Sequence, residues 1–217
     1  RNYINGPWYK AVEVIDDGAG RFMGNLITHA RNKAVATSSG TSPWFEGNTI
    51  AFAQFRGIHI SGGEASFINN VLVRNSHVQV ECTGEEANPV LSRNTICDAD
   101  ATGILCTGHS QGTFTQNQVF AHGVVNVKIM LQANPLFSDN AIHSSQNEGI
   151  LVVEGGKGHF SENSICDNLQ TGLVVMSAGN PTVIGNHVQN GKGNGIWVKS
   201  SGLGLYRKNK IHANKAA

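Results

Sequence analysis

The chain has 217 residues, with 16 Lys and Arg against 15 Asp and Glu for a formal net charge of +1, 40% hydrophobic residues, 26 Gly and four Cys. So even a balance excludes the concentrated basic footprint that nucleic acid or an anionic membrane surface requires, and no apolar run of about 18 residues is present to cross a bilayer. The four Cys lack zinc spacing, no secretory leader opens the sequence, and Asn180-Pro181-Thr182 carries the Pro that bars glycosylation; together these predict a reduced intracellular protein, cytoplasmic or nuclear, with no membrane or nucleic-acid partner.

Residues 1–9 enter inside a repeat, with Asn2 followed two places on by Ile4. The same pair then returns through the chain. Asn25, Asn48, Asn70, Asn94, Asn117, Asn140, Asn163, Asn186 and Asn209 follow at steps of 23, 23, 22, 24, 23, 23, 23, 23 and 23 residues. Two positions after each stands an apolar residue, such as Ile27, Ile96 and Val188. Three positions before most of them stands a large one, such as Phe45, Phe114 and Phe160. A period in this range means a repeat architecture in which each unit stacks on its neighbours.

About nine residues after each Asn a second short strand is predicted, as in Gly57-Ile58-His59-Ile60, Gln79-Val80-Glu81-Cys82 and Gly149-Ile150-Leu151-Val152. Period-2 alternation puts the outer two apolar residues inside and the middle one outside. Each coil is therefore about three short strands joined by turns, with no segment long enough for a helix. Stacked about 4.8 Å apart, ten ladder Asn give a rod roughly 45 Å long. The Asn amides are expected to bond the turns above and below as a structural ladder. Five residues before the Asn, Gly and Pro alternate through Pro89, Gly112, Pro135, Gly158, Pro181 and Gly204, so the full unit is two coils. The one-residue deletion at Ser61–Glu64 and the one-residue insertion at Thr83–Asn88 both fall after the second strand. The whole chain, 1–217, reads as one domain, an all-β parallel β-helix solenoid of nine to ten coils of 23 residues. Both ends fall in mid-coil, so it is expected to be a fragment of a longer rod, with Pro7-Trp8 placed to cover one end.

The alternation of Ala178-Gly179-Asn180-Pro181-Thr182-Val183-Ile184-Gly185-Asn186 with Gly156-Lys157-Gly158-His159-Phe160-Ser161-Glu162-Asn163 resembles the β-helix repeats of F-box only protein 11 and its relatives, as do Gly195-Ile196-Trp197-Val198-Lys199 and Arg207-Lys208-Asn209-Lys210-Ile211-His212. The resemblance covers essentially the whole chain. It implies a right-handed helix of the carbohydrate-binding and sugar-hydrolase type. In those relatives the β-helix is the substrate receptor of a ubiquitin ligase, and a separate F-box recruits the ligase core. No F-box helices stand in this chain. The repeat also occurs in pectin-active enzymes and alginate epimerases, so it specifies fold more than function.

The outward middle positions form one column: Glu13, Ala36, His59, Glu81, Leu105, Lys128, Leu151, Val174 and Trp197. Leu105, Lys128, Leu151, Val174 and Trp197 make its second half an apolar patch broken by one cation, and such patches mark interaction faces. The leading expectation is a non-catalytic recognition module that binds a protein partner or degradation substrate through these five residues, with a ligase core reached through an F-box outside the chain. The alternatives are a polysaccharide lyase, hydrolase or epimerase, and a structural spacer. For an enzyme the candidate acids are Glu81, Asp98, Asp100, Glu85 and Glu86, with Lys128 and Arg93 nearby; solvated turn charges are the bland reading of the same residues. The His residues suggest no triad. Cys82 and Cys106 occupy one inward position of adjacent coils and read as buried thiols. Cys97, His143 and Cys166 share a column, but Cys97 stands two coils from His143, so no metal site is expected. No cofactor is expected either.

Overall fold

The computed structural model describes residues 1–216. Each coil supplies three short strands, and like strands of successive coils pair in parallel and in register. Ten strands, from Tyr3–Asn5 to Lys210–His212, form the first sheet, each entered from a ladder asparagine. Nine from Val12–Val14 to Ile196–Val198 form the second sheet, and nine from Arg21–Met23 to Leu205–Arg207 form the third. This is a right-handed parallel β-helix of about nine turns, with no helix among the described residues. Its hand is the usual one for parallel crossovers.

The first-sheet strands are three residues long because the backbone turns left-handed on both sides of each. The residue before the asparagine holds φ between 53° and 70° in every coil from Gly24 to Lys208, and the residue after the strand holds φ between 53° and 60° from His29 to Ala213. Most of these residues are not glycine, and each costs on the order of 1 kcal/mol in that conformation. Hydrogen bonds between coils offset the cost. Arg93 N–H, for instance, donates to Thr115 C=O at 3.0 Å and Asp98 N–H to Phe120 C=O at 3.4 Å.

Inside, like residues stack in columns. Ile27, Ile50, Leu72, Ile96, Val119, Ile142, Ile165 and Val188 are fully buried on one wall; Phe45, Phe67, Leu91, Phe114, Phe137 and Phe160 are fully buried on another. Neighbouring rings lie face to face, with centroids 4.7 Å apart for Phe45–Phe67 and 4.4 Å for Phe114–Phe137. The coil repeat itself sets this stacking distance, and each buried side chain contributes roughly 1.5–3 kcal/mol of transfer free energy. Gly112 and Gly158 fall where the chain passes these rings at φ +121° and +95°; a Cβ at either would lie 3.1 Å from the Phe two residues on. This accounts for the Gly side of the Gly/Pro alternation.

Each ladder asparagine from Asn25 to Asn209 uses both ends of its amide. Asn94 donates from its backbone N–H and from Nδ2 to Asn117 Oδ1, both at 2.9 Å, and from Nδ2 to Phe67 C=O at 2.9 Å. The same pattern runs from Asn25 through Asn48, Asn70, Asn117, Asn140 and Asn163 to Asn186, which donates to Asn209. A buried amide left without such partners would cost about 1–3 kcal/mol.

A second polar column lies five residues further on, at half the density. Ala53 N–H donates to Asn75 Oδ1 at 2.8 Å, Ala99 N–H to His122 Nδ1 at 3.0 Å, Ser145 N–H to Asn168 Oδ1 at 3.0 Å and Gly191 N–H to Asn214 Oδ1 at 2.9 Å. Large polar and small residues alternate here with the two-coil period. The large members reach under the next strand, where a Cβ on Gly57 or Gly149 would come within 2.7 or 2.6 Å of the Asn75 or Asn168 Nδ2. The glycines that open those second strands are thus set by the column.

The end cover expected from Pro7-Trp8 is not formed. Trp8 is 79% exposed and stacks against the Arg31 guanidinium at 3.6 Å, a cation–π contact that holds the ring at the surface.

Candidate functional site

The inner columns are filled by packing, so distinctive chemistry is confined to outward positions. On the second sheet the residues 10 and 12 places after the ladder asparagine point inward and the residue 11 places after points out, as the buried–exposed–buried pattern of Val12–Val14 shows. The strand entry adds a second outward column. Ala34 and Val35 are both fully buried, which returns the residue before them, Lys33, to the outer face. That entry position holds a cation in three successive coils: Lys10, Lys33 and Arg56.

The two columns meet in a charged cluster. Glu81 is 7% exposed. Its Oε1 accepts from Arg56 Nη2 at 3.1 Å, and its Oε2 lies 2.6 Å from His59 Nδ1 on the adjacent strand. A carboxylate can only accept, so Nδ1 carries the proton and Nε2 is left as the basic atom of the ring. Burial alone would raise the Glu81 pKa, but the His59 hydrogen bond and the Arg56 charge outweigh it and hold the carboxyl below its ordinary value. Phe55 braces Arg56 with its ring 4.2 Å from the guanidinium, and is itself stacked on His77 at 5.0 Å. Lys10 pairs with Glu13. Lys33 stands between Lys10 and Arg56 without a salt bridge among the described residues. Burial, then Arg56 and Lys10, push its pKa down.

The acids singled out from the sequence are not brought together. Glu81 belongs to this cluster. Asp98 and Asp100 line a groove of about 490 Å³ on the turn ahead of the second sheet, with Phe52, Arg74, Ala121 and Gln146. Glu86 faces the opposite turn beside Glu64 and Gly63. These residues are close in the chain but project from different walls of the rod.

The column of Leu105, Lys128, Leu151, Val174 and Trp197 continues from Glu81 in unbroken register. It is less exposed than alternation alone predicts. Leu105, Lys128 and Leu151 are half-buried, and Val174 is buried between Leu151 and Trp197, its partners on the two flanking strands. Trp197 is exposed, with Lys199 Nζ 3.7 Å from its ring. On the first sheet Phe120 stands between Cys97 and His143 and stacks on the imidazole at 4.9 Å. Burial, then Asp98 or Asp167, lifts the Cys97 and Cys166 thiols to about 11.

Sequence reasoning missed the His59–Glu81–Arg56 contact. The signal was present, because His59 and Glu81 are consecutive members of the outward column and Arg56 sits in the entry column one coil from Glu81.

A family model described as right handed beta helix region matches residues 1–134 and 102–217. No curated protein matches the sequence. Among solved structures the chain is similar to a mutant of the periplasmic alginate epimerase AlgG, at 15% identity and a TM-score of 0.67, over 86% of this chain and 56% of that one. It is also similar to the A-module of the Azotobacter vinelandii mannuronan C-5 epimerase AlgE6, at 9% identity and a TM-score of 0.65, over 99% of this chain and 81% of that one. The chain thus spans little more than half the length of the AlgG structure, and at these identities the likeness is one of fold. These neighbours correct the expectations of a non-catalytic F-box-type receptor and of an intracellular protein: they are polysaccharide epimerases, one of them periplasmic, and no F-box protein stands among them. The physical reason for the error is that the repeat records what stacks inside the rod, which proteins of unrelated function share.

Proposed function

We propose, from the premise that this chain belongs to the right handed beta helix family, that it acts on a uronate-containing polysaccharide by removing the proton next to the sugar carboxylate. The observation that carries this reading is the contact of His59, Glu81 and Arg56 beside the unpaired Lys33, on the open face of the second sheet. The epimerase neighbours supply the reaction class.

The hydrogen on the carbon α to a carboxylate is weakly acidic. Its removal needs a base within reach and positive charge where the carboxylate oxygens gain electron density. His59 supplies the base. Glu81 holds Nδ1 as the proton donor of their hydrogen bond, which orients the ring, fixes its tautomer and stabilises the imidazolium that forms. Arg56 and Lys33 supply the positive charge at the entry edge of the same strands. A proton returned to the opposite face of the carbon gives the epimer; departure of the 4-linked sugar instead gives a double bond between C4 and C5. Both outcomes begin with the step assigned to His59. The column from Leu105 to Trp197 extends the same face and offers the polymer a continuous surface.

Proton NMR of polymannuronate and polygalacturonate in D₂O tests the reading. The protein is expected to catalyse exchange at C5 or build up epimer or unsaturated ends, and His59→Ala and Glu81→Gln to lose at least a hundredfold in rate, within the range for a general base. An inactive wild type, or an undiminished His59→Ala, would overturn it.

A further inference from the structure

The outward positions of the first sheet lie one and three places after the ladder asparagine, on either side of the inward residue, as His187-Val188-Gln189 shows. In two adjacent coils these positions bring two histidines together. His187 stands one place after Asn186, and His212 three places after Asn209. Register pairs His187 with Lys210 and Gln189 with His212, so the two rings meet on the diagonal. Their Nε2 atoms are 2.6 Å apart, while the ring centroids are 4.8 Å apart and the ring planes are inclined at 43°. The rings therefore turn their Nε2 edges towards each other, rather than stacking face to face as Phe120 and His143 do. Two Nε2 atoms at this distance share one proton: one donates it, and the other presents a lone pair, so at least one ring is neutral. His187 is half-buried and His212 is exposed, which leaves the pair open to solvent. Burial, then His212 and Lys210, lowers the His187 pKa and favours its neutral ring.

We propose that His187 and His212 form a two-histidine site for a divalent transition-metal ion of the copper and zinc class, which takes the place of the shared proton and bridges the two coils. The inference is independent of the glycan reading above. Imidazole nitrogen suits these ions, whereas Mg²⁺ and Ca²⁺ seek oxygen. Two metal–nitrogen bonds of about 2.0–2.1 Å meeting near the tetrahedral angle put the nitrogens roughly 3.3 Å apart, so the ring tips need to part by only about 0.7 Å. Rotation of two surface side chains supplies that movement. The ring that donates to its partner adopts the Nδ1–H tautomer when the ion binds, so both Nε2 lone pairs face the metal. No group of three or more His, Cys, Asp or Glu side chains able to hold a metal is gathered among the described residues. Water therefore completes the coordination, and the ion exchanges. Both histidines stand on paired strands, so once one nitrogen has bound, the second binds at a high effective concentration.

Calorimetry with the chlorides of Cu²⁺, Zn²⁺, Ca²⁺ and Mg²⁺ tests the site in the wild type, His187→Ser and His212→Gln. Each variant carries the residue that holds the same position in the preceding coil, Ser164 or Gln189, so both keep the fold. The wild type is expected to bind one equivalent of Cu²⁺, and Zn²⁺ more weakly, in the order of affinity that nitrogen sites follow. Ca²⁺ and Mg²⁺ should give no heat. Either variant keeps a single imidazole, and its Cu²⁺ affinity should fall by roughly a hundredfold, the low end of the gain from joining two binding groups on one frame. Electron paramagnetic resonance of the Cu²⁺ form should show coupling to two imidazole nitrogens in the wild type and lose one of them in each variant. A wild type that binds neither Cu²⁺ nor Zn²⁺ overturns the site. So does a variant that keeps the wild-type affinity and the two-nitrogen signal, since the ion would then be held by other residues.

Discussion

Among the described residues His122 is the one histidine built into the interior, and it should make the rod sensitive to acid. Its ring is fully buried. Nδ1 accepts from Ala99 N–H at 3.0 Å and Nε2 faces Ile96 C=O at 3.2 Å, so the ring must be neutral and carry its proton on Nε2. Burial lowers the pKa from 6.5 to about 4, against the Ile96 carbonyl, which favours the charged form. The unfolded chain binds the proton first as pH falls. The stabilisation is therefore complete above pH about 6.5 and is lost progressively as pH drops towards about 4. A shift of this size is worth about 3 kcal/mol in all, and most of it is lost between pH 7 and 4.5. Urea unfolding of the wild type and His122→Asn at those two pH values measures it. Asparagine can make the same two bonds, as Asn75 does with Ala53 N–H and Ile50 C=O. The variant should lose about 1–2 kcal/mol at pH 7 from the smaller side chain and then show a correspondingly weaker response to acid. The other histidines are common to both proteins and cancel. Equal losses in the two proteins between pH 7 and 4.5 would refute the reasoning.

The two columns make further predictions. Asn117→Ala strips the acceptor from the Asn94 N–H and amide and the donor from Leu91 C=O; at about 1–3 kcal/mol for each buried group, the loss should be roughly 3–5 kcal/mol in urea unfolding. Asn209→Ala, at a half-exposed position, should lose well under half of that. Gly103→Ala would bring a Cβ within 2.5 Å of the His122 ring and of Asn126 C=O, so it should lower stability by about 1–3 kcal/mol. Part of that loss should return in the Gly103→Ala/His122→Ala double mutant, since the two sites touch.

The inward half of the molecule was legible from the sequence. Asn and Ile at fixed spacing can be read because every coil places the same demand on those positions, and the Phe column shows through even where Leu91 and Val183 replace the ring. The second polar column was not legible. It is occupied only in alternate coils and filled by Asn or His, so Asn75, His122, Asn168 and Asn214 do not look like one position. The left-handed residues were hidden for a different reason. Arg74, Arg93, Glu162 and Lys208 have no preference for positive φ, and the bonds between coils impose it. The candidate acids Glu81, Glu85, Glu86, Asp98 and Asp100 were grouped by nearness along the chain, which does not bring them together in space. In a coil of 23 residues a few places are enough to move a side chain to another wall, and the contact that does form, Arg56 to Glu81, spans 25 residues.

That geometry also shows where function can be carried. A change in an inward column disturbs both neighbouring coils, so the core is held to a narrow set of residues and proteins at 9 or 15% identity still share the path of the chain. A change in an outward column adds or removes one functional group at a position fixed by the stacking and leaves the ladder and the stacked rings in place. Glu13, Ala36, His59 and Glu81 make the point: four consecutive members of one outward column keep a single register and differ in chemistry. Whatever this molecule recognises or transforms is therefore set by the side chains standing in the outward columns, while the stacked interior sets only where they stand.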